Sequence, residues 1–284
     1  MEYNYSGITP ESIELLCLNR FNDSKPFYEE HKEELKQGIT VPMRQMVLDL
    51  SDILYDIDEK MYLDPVRAVS RIHRDTRGNR SKIKYRENMW TFFRRYKKDY
   101  PQAPFYYFEF YPDSYGYGLV FWVWRQSNFK IVHDMIIENP KRFMNAVKAC
   151  ADAGFSFSCR DFYKKDRYPD APKELKPFLA AKNMAFSYSD RNLKRLNETA
   201  LIDEMRLAFD IARPMYEFFI EAHEIVLKRK RLLLDFTDAE LSQDAEELFE
   251  EVALHLNRDE FTNLIHGVHR EGIVFDRGET LTFR

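Results

Sequence analysis

The feature that most constrains the fold is an aromatic segment at residues 105–124, FYYFEFYPDSYGYGLVFWVW. Aromatic and β-branched residues pack well on a pleated surface and are enriched in strands. The two aromatic runs flank residues 112–116, PDSYG, whose composition is typical of a turn. The segment therefore predicts a β-hairpin near the centre of the chain.

Helical patterns lie on both sides of this hairpin. Thr9 and Pro10 are typical of a helix start, and Ser24 can cap a second helix that continues through Lys36. Apolar residues at three- and four-residue spacing predict a third helix at 41–57. The same patterns predict an extended segment at 65–75, strands within 89–96, 154–163 and 183–189, and helices within 129–151, 171–181 and 192–236, the last divided at Pro214.

Strands in the middle and helices at both ends predict an α+β fold. We expect N-terminal helices, a central, mainly antiparallel sheet, and C-terminal helices that carry a small helix-helix-hairpin appendage. The nine glycines argue against glycine-rich nucleotide loops and against a turn-dense all-β fold. The charged segment LKRKR at 227–231 suggests a seam, which predicts an α+β domain at 1–225 and an extension at 226–284.

The extension has a winged-helix-like outline, with predicted helices at 242–256 and 259–269 and a hairpin around 276–279. Residues 244–284 contain ten acids and four arginines, so nucleic-acid binding is not expected, and packing or homo-oligomer formation is the preferred role. We interpret its histidines as ordinary helix residues and expect no metal and no cofactor; they are His255, His266 and His269, with Glu251 nearby.

Bulk charge restricts the choice of partners. The formal net charge is −4, so any binding of anions has to be local rather than spread over the whole surface. The three cysteines are scattered and odd in number, which is typical of reduced thiols in a cytoplasmic protein. No signal peptide and no membrane-spanning segment is expected, and the common hydrolase and nucleotide-binding motifs are not found.

Residues 71–86 concentrate cationic side chains in an acidic chain. Seven cations face one carboxylate, Asp75, within these sixteen residues. The planar arginine fork matches phosphate or carboxylate, and each charge-assisted hydrogen bond contributes roughly 1.5–3 kcal/mol. We therefore predict an anion site whose ligand-binding residues are Arg71, Arg74, Arg77, Arg80, Lys82 and Arg86.

The same segment contains the groups that could move protons, namely His73, Asp75 and Tyr85. Three hypotheses stay open for it. The chain could be a binding domain for a small anion, most plausibly phosphate-bearing. It could instead be an enzyme in which the arginines stabilise developing negative charge on a phosphorylated or carboxylated substrate. Finally, it could be a structural or interaction protein whose arginines pair with its own acidic segments at 29–35 and 49–60.

The motif SRIHRDTRGNRSKIKYR at 70–86 resembles that of a bacterial and fungal family, the domain of unknown function numbered 2461. The resemblance covers about residues 5–220, including YSGITPESIELL and FNDSKPFYEEHKEELK. This chain departs from the family pattern at Gly78 and Asn79, at Lys84 where proline is usual, and at Phe27 where tryptophan is usual. The resemblance implies an α+β domain with an important arginine motif, and it implies no activity.

Overall fold

The computed structural model describes residues 3–76, 82–122, 126–242, 273–274 and 280–281, and the chain divides into two compact units, Met1–His223 and Glu224–Arg284. The α+β fold predicted from the sequence is confirmed, with helices before and after a central antiparallel sheet. Within the described ranges, no helix combines the length and apolarity that crossing a bilayer requires.

The N-terminal helices begin where the capping residues predict. Thr9 caps α1 (Pro10–Asn22), and the Ser24 hydroxyl accepts a hydrogen bond from the Phe27 amide at the start of α2 (Lys25–Leu35). A π-helical turn at Lys36–Thr40 leads into α3 (Val41–Asp49) and α4 (Ser51–Ile57). The single helix predicted for 41–57 is therefore interrupted at Leu50. The Ser51 hydroxyl donates to the Leu48 carbonyl there, an alternative to the regular backbone pattern.

Another expectation needs correction between α4 and the sheet. The sequence predicts an extended segment from residue 65, but residues 65–68 form a short helix, α5 (Pro65–Ala68), because the Asp64 carboxylate caps the amides of Val66 and Arg67. The chain becomes extended only at Val69, which pairs with Thr91.

The central sheet has six antiparallel strands in the order β1-β2-β3-β4-β6-β5. The predicted aromatic hairpin is confirmed as β3 and β4, with Phe110 opposite Tyr115. Its turn is shorter than the sequence suggests, because β4 already begins at Ser114. The strands are β1 (Met61–Tyr62), β2 (Met89–Arg95), β3 (Phe105–Tyr111), β4 (Ser114–Phe121), β5 (Ser156–Ser158) and β6 (Met184–Asp190).

Within the unit Met1–His223, helices that follow β4 in the chain pack against this sheet. Pro214 lies at the start of α10, so it divides the helical region as predicted. Buried rings join the sheet to these helices; Tyr106, for example, stacks on Tyr216 at a centroid distance of 5.2 Å. The helices are α6 (Gln126–Glu138), α7 (Pro140–Asp152), α8 (Lys176–Leu179), α9 (Ala200–Ile211) and α10 (Arg213–Ser242), with 3-10 turns at Lys173–Leu175 and Leu193–Asn197.

In the unit Glu224–Arg284, the predicted terminal hairpin is present as β7 (Ile273–Val274) paired with β8 (Thr280–Leu281). The helices predicted at 242–256 and 259–269 lie outside the described residues, apart from Ser242 at the end of α10. The winged-helix-like outline and the role in packing or homo-oligomer formation stay predictions.

A buried ion pair connects α4, the sheet and α10. The Arg95 Nε atom donates to Asp58 Oδ2 at 2.7 Å, and both side chains are almost fully buried. The Tyr216 hydroxyl donates to the same oxygen at 2.6 Å. A buried charge is tolerated only when it is paired and hydrogen-bonded, so Asp58 holds Arg95 inside the core.

We expect Asp58→Asn to lower the free energy of unfolding by about 3–5 kcal/mol, because it leaves the Arg95 charge buried without its counterion. The matched control is Asp52→Asn, which breaks the more exposed pair with Arg206 and should cost about 0–1 kcal/mol. Urea denaturation of both variants measures the difference. Equal losses would contradict a structural role specific to the buried pair.

Candidate functional site

The arginine motif forms two facing arms, residues 70–76 and 82–86. The Arg74 amide donates to the Lys84 carbonyl at 2.7 Å, and the Arg86 amide donates to the Ile72 carbonyl at 2.9 Å. His73 pairs with Tyr85 between these two bonds. We call this ladder the basic hairpin. Its connecting residues, 77–81, lie outside the described residues.

Asp23 fixes the basic hairpin to the N-terminal helices. It ends α1 with a left-handed φ of 46°, a conformation that aspartate tolerates better than most residues. Its Oδ1 atom accepts the Lys84 amide at 2.8 Å and the Tyr85 amide at 3.1 Å. One carboxylate therefore positions the second arm directly beside the start of α2.

An aromatic cluster forms the floor of the contact between α2 and the hairpin. The Tyr28 ring stacks on Tyr85 at 5.0 Å and meets His73 edge-on at 4.5 Å, while His73 and Tyr85 are 4.7 Å apart. Tyr85 is fully buried, and burial raises the pKa of its hydroxyl. His73 keeps an exposed edge, yet partial burial lowers the pKa of its imidazole, an effect that the nearby Glu29 opposes.

A cavity of about 320 Å³ opens between α2 and the basic hairpin. Three cations from three separate segments line it: Lys25 from the first turn of α2, Arg74 from the first arm and Lys84 from the second. The other lining residues are Glu29, His73, Thr76 and Tyr85. The positive end of the α2 dipole lies beside the same space and adds to its positive potential.

The three cations that line the cavity form no ion pair with a carboxylate of the described residues. Within the described ranges, no carboxylate lies at ion-pair distance from Lys25, Arg74 or Lys84. Glu29, the one carboxylate that lines the cavity, is 3.4 Å from the Lys32 amino group. The arrangement leaves positive charge directed at a concave space, which favours binding of an anion.

The structure brings only part of the predicted anion site together. Arg74 lines the cavity, whereas Arg71, Lys82 and Arg86 do not. The Arg86 guanidinium lies 4.3 Å over the Trp90 ring, and its Nε atom donates to the Arg71 carbonyl at 3.1 Å. Burial and the nearby charge of Arg74 lower the Arg86 pKa. The remaining predicted ligands, Arg77 and Arg80, lie outside the described residues.

Only two of the three predicted proton-transfer groups line the cavity. His73 and Tyr85 line the cavity, and Asp75 is exposed and is not a lining residue. In the part of the chain that the structure describes, no three histidine, cysteine or acidic residues are grouped so that they could hold a metal ion. His255, His266, His269 and Glu251 are outside that part.

Sequence reasoning missed two contributors to the cavity. Lys25 lies almost fifty residues before the motif, and only the knowledge that Asp23 binds the second arm would have connected them. Lys84 is one of the seven cations of the motif, but the anion site predicted from the sequence does not include it. Its position directly across from Arg74 follows from the His73–Tyr85 register.

Comparison with known proteins identifies one family. A model described as "Conserved hypothetical protein (DUF2461)" matches residues 11–218, which include both arms of the basic hairpin. No curated protein and no solved structure matches the chain significantly.

We expect Asp23→Ala to release the second arm, because alanine removes the acceptor of two amides and is strained at a positive φ. Each of the two hydrogen bonds to the carboxylate contributes at most about 1.5–3 kcal/mol to the free energy that holds the second arm in place, and the alanine variant loses both. Asp23→Asn keeps an acceptor oxygen and tolerates this backbone, so it serves as the control. Amide hydrogen exchange at Lys84 and Tyr85 measures the effect, and unchanged protection in the alanine variant would contradict it.

Proposed function

We propose that this chain, which belongs to the DUF2461 family of conserved hypothetical proteins, is a cytoplasmic protein that binds a small, phosphate-bearing anion in the cavity beside the basic hairpin. The convergence of Lys25, Arg74 and Lys84 on one concave space is the observation that carries this proposal. A volume of about 320 Å³ is at the lower end of the range of clefts that hold small organic ligands.

The hairpin geometry supports an anion rather than water as the natural occupant. Arg74 and Lys84 lie opposite each other on adjacent arms, and like charges in that position destabilise the pairing. The Asp23 carboxylate accepts a hydrogen bond from the Lys84 backbone amide and holds Lys84 in place despite this repulsion. A bound anion would remove the repulsion and would gain charge-assisted hydrogen bonds from both side chains.

The acidic segments that could have neutralised the motif are engaged elsewhere. Carboxylates from residues 49–60 pair with arginines outside the motif: Asp52 with Arg206, Asp56 with Arg213, and Asp58 with Arg95. Among the described residues, Glu29 of α2 pairs with Lys32 of the same helix, and Glu33 of α2 pairs with Lys36 at the start of the π-helical turn. These pairings favour ligand binding over the hypothesis that the arginines serve internal salt bridges.

A thermal-shift screen of phosphorylated metabolites, followed by calorimetric titration, tests the proposal. We expect Arg74→Met to weaken binding of the best ligand about tenfold or more, since one charge-assisted hydrogen bond contributes roughly 1.5–3 kcal/mol. Arg71→Met is the matched control because it removes the same charge from the same arm at an exposed position away from the cavity. Equal affinities of the two variants, or no ligand that stabilises the wild type, would refute the site.

An enzyme is the second candidate, favoured by the presence of His73 in the wall of the same cavity. Its lowered pKa keeps the imidazole neutral near pH 7, the form that can accept a proton. Burial keeps the Tyr85 hydroxyl protonated, so it could donate a hydrogen bond. Arg74 and Lys84 would then stabilise negative charge that develops on a phosphorylated or carboxylated substrate.

If the chain is an enzyme, His73→Gln should abolish turnover of the ligand found in the screen while leaving its affinity nearly unchanged. The wild-type rate should stay constant above the free-histidine pKa of about 6.5 and should fall only as the pH drops through the lowered pKa of His73. A pH–rate profile measures this. A glutamine variant that keeps full activity would exclude His73 as the base.

A further inference from the structure

A second cavity, of about 160 Å³, lies at the other end of β2. The end of β2, the loop at 96–104, the start of β3 and the residue after β4 enclose it. Its lining residues differ from those of the cavity at the basic hairpin. Three cations and three aromatic residues dominate the lining: Arg94, Arg95, Lys97, Tyr100, Phe105 and Trp122.

The three cations are only partly neutralised. Arg95 is held by Asp58 through the buried ion pair described above. No carboxylate in the described residues lies at ion-pair distance from Arg94 or Lys97. Arg94 is partly buried, and burial lowers the pKa of its guanidinium. The charges of Arg94 and Lys97 therefore have no carboxylate partner. Burial of the Arg94 charge costs free energy, and a bound anion would offset that cost.

Arg94 contacts an aromatic side chain rather than an acid. Its guanidinium lies 5.5 Å from the centre of the Phe92 ring, a contact that positions the charge without neutralising it. Phe92 in turn packs against Phe105 at 4.9 Å. The cation is therefore held against a pair of packed aromatic rings at the cavity wall.

The remaining walls suit a flat ring. Trp122 lines the cavity with 42% of its surface exposed. The Arg160 guanidinium lies 5.1 Å over the Trp122 ring and the Arg95 guanidinium 5.1 Å over the Tyr100 ring, so a ligand ring would meet the exposed part of Trp122 rather than the faces that these arginines cover. Flat apolar surfaces beside two uncompensated cations are complementary to a ligand that joins an aromatic ring to a doubly charged anion.

The loop that closes the cavity has an unusual backbone. Gln102 has a φ of 66°, in the left-handed region that residues other than glycine seldom occupy. Strained positions of this kind persist where the surroundings hold them and are concentrated at binding sites. This observation is independent of the charges and favours a functional role for the same cavity.

We propose that this cavity is a second binding site, specific for a free monocyclic aryl phosphate, with Arg94 and Lys97 on the phosphate and Trp122 against the ring. A phosphate monoester carries about −1.5 to −2 charges at pH 7, which matches the two uncompensated cations. Clefts for drug-sized ligands measure about 300–1,000 Å³, so a cavity of about 160 Å³ selects one ring rather than a nucleotide. This site does not depend on the function proposed for the basic hairpin.

Calorimetric titration of the full chain with phenyl phosphate tests the proposal, and tryptophan fluorescence provides a second readout through Trp122. Phenyl phosphate should bind at least tenfold more tightly than inorganic phosphate or phenol, because only it satisfies the cations and the ring together. Arg94→Met and Lys97→Met should each weaken it about tenfold or more. Trp122→Leu should remove the fluorescence change and the preference over inorganic phosphate.

Lys98→Met is the matched control, since it removes an equal charge from an exposed position next to Lys97 that does not line the cavity, and it should leave phenyl phosphate binding unchanged. Lys97 is exposed, so Lys97→Met remains informative even if Arg94→Met fails to fold. Three results would overturn the proposal: equal affinities for phenyl phosphate and inorganic phosphate, binding unaffected by Lys97→Met, or binding weakened as much by Lys98→Met as by Lys97→Met. Tighter binding of a phosphotyrosine peptide than of phenyl phosphate would overturn the assignment to a free ligand.

Discussion

The position of Asp23 is the constraint on which the candidate site depends. Its left-handed backbone turns the chain between α1 and α2, and its carboxylate holds two amides of the second arm of the basic hairpin. Because Lys25 is the first residue of α2, the turn that brings Asp23 to the hairpin also brings Lys25 to the cavity. Hydrogen bonds from the Lys84 and Tyr85 backbone amides to the Asp23 carboxylate, rather than attraction between the cationic side chains and acids, therefore assemble the group of cations.

This assembly explains how neighbouring cations persist in an acidic protein. Ile72 and Tyr85 are buried and anchor the two arms, so the hairpin keeps its geometry even though Arg74 and Lys84 repel each other. The second cavity follows the same principle, because the buried pair of Asp58 and Arg95 fixes the end of β2 beside Arg94. In both places contacts in the folded core hold cations in position, namely Arg74, Lys84 and Arg94, although no carboxylate among the described residues lies at ion-pair distance from them.

The sequence predicted the fold well where local chemistry decides the structure. Caps at Thr9 and Ser24 and the aromatic runs around Pro112 determine helix starts and strands through nearby atoms, so single-sequence patterns revealed them. The site was predicted only in part, because it depends on contacts between distant segments. Charge density identified Arg74, but nothing near Lys25 signals its cavity, and Arg86 binds Trp90 through a ring contact that a count of charges does not reveal.

The distribution of charge also bears on which anions the two proposed sites would accept. At physiological salt each exposed charge acts over only about 8–10 Å, and with a net charge of −4 an extended polyanion would meet more carboxylates than cations along its length. A small anion that enters a cavity is close to Lys25, Arg74 and Lys84 and is shielded from most of the acidic surface. A long nucleic acid would meet the same cations together with many carboxylates. The charge pattern therefore favours small, compact ligands at both cavities.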